Sequence, residues 1–393
     1  MSRFLFVVPP LTGHVNPTVP VARALVARGH SVAWASFAEK VRPLLPEGAE
    51  LFTMGEPETA PGAMEAEWVR IVEAAKGVRG LESFQFLWER VLIPLTRAMM
   101  SGVERAVSAF APDVVVADQQ AIAGALVARK NALPWVTFCT TSAGVVDALS
   151  DLPKVQQWVS AQLAEVEREA GLSHQEPPHV SKELVVVFSS LELVGAGDAF
   201  PAAYRFVGPA AIDRPDETPF PWEALEPRRR VFVSLGTVSG GEGAAFYDTC
   251  VKAFSAIDAQ VILAAPPELV PNAPSSFIVR PRVPQLALLA KVDAVVCHAG
   301  HNTVCEALAH GLPLVVAPIR DDQPVVAQQV VRAGAGIRVR YGKLTSNALA
   351  DAVSRVLSEE SFRRAAESVR DSFTRAGGVA AAVSLLESHA EPR

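Results

Sequence analysis

What most constrains this chain is a grammar that it uses twice. Short, almost wholly apolar, β-rich runs alternate with helical patterns through the first half and again through the second. The first array holds Phe4 to Val8, Ser31 to Ser36, Asp113 to Asp118, Trp135 to Thr140 and Leu184 to Ser190. The second holds Arg230 to Gly236, Ala259 to Ala265, Ser276 to Pro281, Asp293 to Gly300, Pro313 to Ile319 and Gly336 to Tyr341. A strand that is apolar on both faces must be covered on both faces, which is the condition of a parallel sheet under helices. Two such arrays predict an α/β protein of two Rossmann-like, doubly wound domains.

The break between them is compositional. Gly208 to Arg230 holds five prolines in 23 residues, which suits an extended linker better than a core. The expected division is therefore a first domain over 1–207, a linker over 208–230 and a second domain over 231–375. A final helical segment over 376–393 is expected to return to the first domain. Within the first array, Asn16 is expected to cap a helix with Pro17 in its first turn and Gly29 at its end. Glu56 to Arg97 and Val145 to Pro178 read as helical insertions over the first sheet. They carry Trp68, Phe84, Phe86, Trp88, Met99, Met100 and Trp158, which fit a core more readily than a pocket.

A chain of 393 residues, half of them hydrophobic and 20% charged, has ample material for packed cores. Its net charge of −6 and lack of a basic stripe argue against nucleic acid as a partner. No apolar stretch is long enough to be a transmembrane segment. The opening run, stopped by Pro9 and Pro10, reads as a strand and not a signal peptide. Cys139, Cys250, Cys297 and Cys305 form no CxxC pair and read as reduced thiols of a cytoplasmic protein.

The chemistry concentrates in Val295 to Gln323. A strand ending at Cys297 runs through His298, Ala299 and Gly300 into a helix that starts near His301. Outward-pointing N–H groups and the positive dipole end of such a helix favour an anion such as a pyrophosphate. Asn302 and Thr303 add donors on the first turn, and His298 can reach the same group. Glu306, one turn on, is placed to accept from ribose hydroxyls. Asp322 and Gln323 follow the next strand, a carboxylate and an amide suited to vicinal sugar hydroxyls. A capped strand–turn–helix of no special function would account for Gly300 alone, but not for the ordered series. His14 lies just past the first strand, where open α/β sheets place ligand chemistry, and could act as a general base. Asp118 ends the third strand read from the sequence, at the same edge, and could orient that imidazole. His30 reads as a cation at a helix C-terminus. His301 and His310 read as lying on an exposed helix face.

These segments resemble the UDP-glycosyltransferase superfamily, in particular its bacterial macrolide and natural-product branch. Pro284-Gln285, the run His298 to Glu306 and Asp322-Gln323 match that family's donor signature in order and spacing. Gly13 to Pro17 and Ser234 to Thr237 match as well. The resemblance implies the GT-B architecture, two Rossmann-like domains facing across a cleft with the active site between them. The N-terminal domain would bind the acceptor and the C-terminal one the nucleotide-sugar. It implies a nucleoside contact at Gln285, with Arg282 and Val283 beside it. Diphosphate contacts are implied at Thr237, His298, Gly300, Asn302 and Thr303, a ribose contact at Glu306, and sugar contacts at Asp322 and Gln323. His14 with Asp118 would be the catalytic pair, and Thr140 would lie near the acceptor or the transferred sugar. Two positions depart from the pattern. Arg282 stands where relatives often have a stacking Trp, and Arg320 precedes the acid pair where an aromatic or small residue is common.

The activity implied is that of an inverting, metal-independent hexosyltransferase. It would move a hexose from a UDP- or dTDP-sugar to a hydroxyl of a small lipophilic natural product, as in antibiotic biosynthesis. No DxD triplet and no metal-ligand spacing occurs, so neither a metal nor any cofactor besides the sugar-nucleotide co-substrate is expected. Two other readings use the same residues: a nucleotide-sugar epimerase of the same architecture, and a non-catalytic glycosyltransferase-like auxiliary protein.

Overall fold

A computed structural model of the chain describes residues 1–393 apart from 55–69, 71–73, 75–77, 79, 147–151, 176, 196–199, 211–217, 237–242 and 392–393. Trp68 and Thr237 therefore lie outside the described residues. The chain forms two compact units, one of residues 1–189, 199–210 and 376–393 and the other of 190–198 and 211–375.

The first unit is built on seven parallel strands: β1 (Arg3–Val7), β2 (Ser31–Ser36), β3 (Glu50–Thr53), β4 (Val114–Asp118), β5 (Trp135–Cys139), β6 (Val185–Val187) and β7 (Tyr204–Phe206). Their order is β3-β2-β1-β4-β5-β6-β7, so the connections reverse direction between β1 and β4. Strand alternation sorts the side chains onto two faces. Phe4, Phe6, Val114, Val116, Val136 and Phe138 share one buried cluster with Val21, Ala22 and Leu25 of the helix Thr18–Ala27. The same cluster takes Ala382, Val383 and Leu386 from the C-terminal helix Gly378–Ala390. Leu5, Val7 and Val115 pack on the other face with the helices Ile93–Phe110 and Ile122–Lys130. The C-terminal helix is also held by polar contacts. Arg28 and His30 both bond to Glu387, at 2.7 and 3.1 Å.

The second unit repeats the plan with β8 (Arg230–Ser234), β9 (Gln260–Ala264), β10 (Phe277–Arg280), β11 (Ala294–Cys297), β12 (Leu314–Val316) and β13 (Gly336–Arg338). All are parallel, in the order β10-β9-β8-β11-β12-β13, with the reversal between β8 and β11. Phe232, Val295, Cys297 and Leu314 face one core and Val231, Val233, Val296 and Val315 the other. The segment Leu191–Val194 contributes Leu193 to this unit's core, and Ser372 donates to Ser190 at 2.7 Å. Phe220 and Leu225 pack against the same core.

Two details differ from the sequence reading. β3 and β7 were not foreseen, so Asp118 ends the fourth strand and not the third. Residues Thr12–Val15 already form a helical turn, Asn16 sits in the right-handed helical region, and the helix Thr18–Ala27 starts behind Pro17 without a side-chain cap. Asn16 therefore joins two helical pieces. The insertions pack on each other and, through Ile122 and Leu126, on the helix Ile122–Lys130 that covers the first sheet. Trp88, Leu92 and Ile93 pack against Val159, Leu163 and Val166 of the helix Pro153–Glu169, with Phe84 and Trp158 partly buried at the margin.

Candidate active site

Each sheet concentrates its chemistry at the reversal of its strand order, where two neighbouring connections leave on opposite faces and open a crevice at the strand ends. In the first unit the residues at that point are His14, Asp118 and Thr140. Val114, Val116 and Asp118 lie in one phase of β4, and Val136, Phe138 and Thr140 in the same phase of β5. The apolar stripe of each strand thus turns polar at its last step, and register pairs Asp118 with Phe138. His14 comes from the turn Thr12–Val15, which is pinned beneath by Val15 in the core. Thr18 Oγ1 donates to the Val15 carbonyl at 2.7 Å and accepts from Trp34 Nε1 at 3.0 Å.

His14 Nδ1 lies 2.9 and 3.0 Å from the two carboxylate oxygens of Asp118, across 104 residues of sequence. The Asp118 side chain is fully buried, and that of His14 is 13% exposed. A buried carboxylate is costly unless its lone pairs are used. Here the Gln120 N–H donates to it at 2.8 Å and the Thr140 hydroxyl at 2.7 Å. With Nδ1 carrying its proton toward Asp118, Nε2 is the imidazole nitrogen that can accept a proton.

In the second unit, β8, β11 and β12 end side by side, Cys297 pairing with both Ser234 and Val316. The residues after them converge. The His298 ring lies between two glycines. A Cβ at Gly236 would sit 2.6 Å from its Cε1, and one at Gly300 would sit 2.5 Å from its Nε2. Gly236 also has φ +71°, which a side chain rarely tolerates. Burial pushes the His298 imidazole down to about 4, with the Asp322 carboxylate opposing and Arg320 reinforcing that shift. The ring is thus neutral near pH 7, a donor and acceptor and not a cation, and its Nδ1 is buried without a partner among the described residues.

Gly300 caps the helix His301–Ala309, whose first turn carries Asn302 and Thr303, both half-buried. Glu306, buried one turn on, accepts from Gln285 Nε2 at 2.5 Å. Gln285 opens the short helix Gln285–Leu289, so the structure joins two residues that the sequence reading assigned to separate parts of a nucleoside. Gln323 holds the loop before it. Its Oε1 accepts the N–H groups of Ile319 and Arg320, at 2.8 and 3.2 Å, which leaves its amide nitrogen for a ligand. Arg320 is buried, 3.8 Å from Asp321, and Asp322 is half-buried at the start of the helix Gln323–Arg332.

Arg282 is exposed, while the Val283 side chain belongs to the core, so only the backbone of Val283 can serve a ligand. His301 is buried, and not exposed as expected; it lies one turn before Cys305, whose Sγ is 3.5 Å from Nε2. His310 is half-buried, and desolvation lowers its affinity for a proton. His30 acts through Glu387, not through a helix terminus. All four cysteines are buried and unpaired. Among the described residues, no helix is long and apolar enough to cross a membrane.

Comparison with known proteins agrees with this geometry. Residues 248–379 match the family model of the erythromycin biosynthesis protein CIII-like C-terminal domain. Over 421 residues the chain is 29% identical to 4'-demethylrebeccamycin synthase of Lentzea aerocolonigenes, covering 98% of this chain and 99% of that protein. The crystal structure of the kitacinnamycin glycosyltransferase superposes with a TM-score of 0.77 at 24% identity, covering 99% of each chain. Glycosyltransferase VinC, solved with dTDP, gives a TM-score of 0.73 at 22% identity, again over 99% of each chain. The C-terminal region thus matches the erythromycin biosynthesis protein CIII-like family, the whole chain is similar in sequence to natural-product glycosyltransferases, and its fold is the GT-B fold of the transferases it superposes on.

Proposed function

We propose that the protein transfers a hexose from a UDP- or dTDP-sugar to a hydroxyl of a small lipophilic natural product, with inversion and without a metal ion. The observation that carries this reading is the buried His14–Asp118 contact at the strand-order reversal of the first sheet. In the reaction, the acceptor O–H gives its proton to His14 Nε2, while Asp118 stabilises the imidazolium that forms. The acceptor oxygen bonds to the anomeric carbon as that carbon's bond to the β-phosphate oxygen breaks. The bonding pair leaves with the nucleoside diphosphate. One displacement on the face opposite the leaving group inverts the configuration.

The donor is assigned to the second unit. Gln285 and Glu306 suit the nucleoside and ribose. The helix start at Gly300, with Asn302, Thr303 and neutral His298, suits the diphosphate. Asp322 and the amide of Gln323 suit the hexose. A nucleoside diphosphate fits the unsatisfied Nδ1 of His298, whose ring is seated where only glycine at 236 and 300 leaves it room. A thymidine diphosphate is bound in the solved structure of VinC, which keeps dTDP-sugars beside UDP-sugars as donors. The reading places the protein in antibiotic-type biosynthesis, and its buried thiols suit a cytoplasmic setting.

The test is turnover of UDP- and dTDP-glucose with and without a panel of natural-product alcohols, read by mass spectrometry. Transfer is expected to survive EDTA with no added Mg²⁺ or Mn²⁺, because donors of the helix terminus and neutral side chains meet the leaving group. Complete loss under EDTA, restored by Mn²⁺, would refute that account.

A further inference from the structure

We propose that Thr140 is a positioning residue of the base, the third member of a His14–Asp118–Thr140 cluster, and not a hydrogen-bond donor to the transferred sugar. This inference rests on the reading of His14 as the base. Thr140 Oγ1 lies 2.7 Å from Asp118 Oδ2 and 2.7 Å from His14 Nδ1, and the residue is 2% exposed.

Proton accounting fixes the direction of these contacts. An ionised carboxylate only accepts, and a threonine hydroxyl has one proton and two lone pairs. The hydroxyl proton therefore goes to Asp118 Oδ2. The Nδ1–H of His14, within reach of both carboxylate oxygens and of Oγ1, is shared between the carboxylate and the hydroxyl oxygen. With its proton spent on Asp118, Thr140 has none to give a sugar hydroxyl. The hydroxyl instead closes a ring of three groups that fixes the imidazole plane and holds the tautomer with Nε2 ready to accept.

The fold makes this placement reproducible. Thr140 is the first residue past β5, in phase with Val136 and Phe138, whose side chains are anchored in the core. Asp118 is the last residue of β4, in phase with Val114 and Val116. Two adjacent strands thus deliver the hydroxyl and the carboxylate to the same face, and His14 arrives from the turn after β1. A methyl-bearing isostere at 140 would keep the packing and remove both polar contacts.

The experiment compares Thr140→Val, Thr140→Ser, Asp118→Asn and the double variant Asp118→Asn/Thr140→Val, using an aliphatic alcohol acceptor. Thr140→Val is expected to lower kcat roughly 10-fold, the scale of a lost hydrogen bond to a charged group. The KM for the nucleotide-sugar should stay unchanged, and Thr140→Ser should restore most of the rate. In the Asp118→Asn background the valine substitution should cost almost nothing more, since it acts through the same group. A raised donor KM with kcat kept, or a loss that multiplies with that of Asp118→Asn, would overturn the proposal and give Thr140 to the sugar. Unfolding is followed by thermal melts; a destabilised Thr140→Val that Thr140→Ser also fails to rescue counts against a positioning role. His14→Ala is run alongside. Full activity there would remove the base reading itself, whereas a dead His14→Ala beside an unaffected Thr140→Val removes only the role of Thr140.

Discussion

His14→Ala is expected to lower kcat by roughly 10²–10⁴-fold, the range for loss of a general base. UDP affinity should barely change, because every residue assigned to the donor belongs to the second unit. The contrast follows from geometry. Asp118 is fully buried and accepts from Gln120, Thr140 and His14, so its charge is directed at one imidazole edge. Removing the imidazole leaves a carboxylate that is still held by two donors, and the unit should stay folded. The acceptor must be a weakly acidic aliphatic alcohol, since a phenol ionises partly unaided. Near-wild-type turnover of that substrate by His14→Ala would show that another group takes the proton.

Glu306→Ala should weaken UDP binding by roughly 10–100-fold, the loss expected for hydrogen bonds to a charged group. Glu306 is buried and held by Gln285 Nε2, so its carboxylate is preorganised and the substitution also releases Gln285. Gln285→Ala and Glu306→Ala should therefore be less than additive. Asp322→Ala should leave UDP affinity nearly intact while weakening the UDP-sugar, because its assigned contact is to the hexose. Calorimetric titration of UDP and of a non-transferable UDP-sugar analogue into each variant separates the two roles. Equal loss of UDP affinity in Glu306→Ala and Asp322→Ala would mean that Asp322 holds the loop or the nucleotide. Arg320, buried near His298 and Asp321, is the residue through which such an effect would travel.

Much of the architecture was legible because a doubly covered strand leaves a blunt signature. Every central strand of both sheets falls within an apolar run read from the sequence. The two that escaped, Glu50–Thr53 and Tyr204–Phe206, are edge strands with half-exposed residues and three or four positions each, too short and too polar to show a run. The excursion of residues 190–198 into the second unit left no signal either, since Leu191–Val194 looks like any amphipathic turn. The break at Asn16 was misread because an Asn before a Pro is a strong helix-start pattern. The chain instead spends a separate turn, Thr12–Val15, on presenting His14.

The site shows the same division. Asp118 and His14 could be paired from sequence because one ends a strand that the pattern located and the other lies just past another. Thr140 was placed near the acceptor or the transferred sugar, while its contacts with Asp118 and His14 went unread. Its phase with Val136 and Phe138, matching that of Asp118 with Val114 and Val116, was the available signal for contact between them. His301 was read as exposed, although His301, Cys305 and Leu308 lie on one stripe of the helix and the two others are apolar. The bond between Gln285 and Glu306 and the loop-holding role of Gln323 depend on side-chain conformation across separate elements. No spacing in the sequence encodes that.

The central claim is a single displacement driven by the base on the first unit. Its most direct test is the anomeric configuration of the product formed from UDP-α-glucose and an aliphatic natural-product alcohol, read by proton coupling in NMR. The account predicts a β-glucoside, formed only when an acceptor is present. An α-glucoside, or a change in the donor sugar's stereochemistry with no acceptor present, would contradict it.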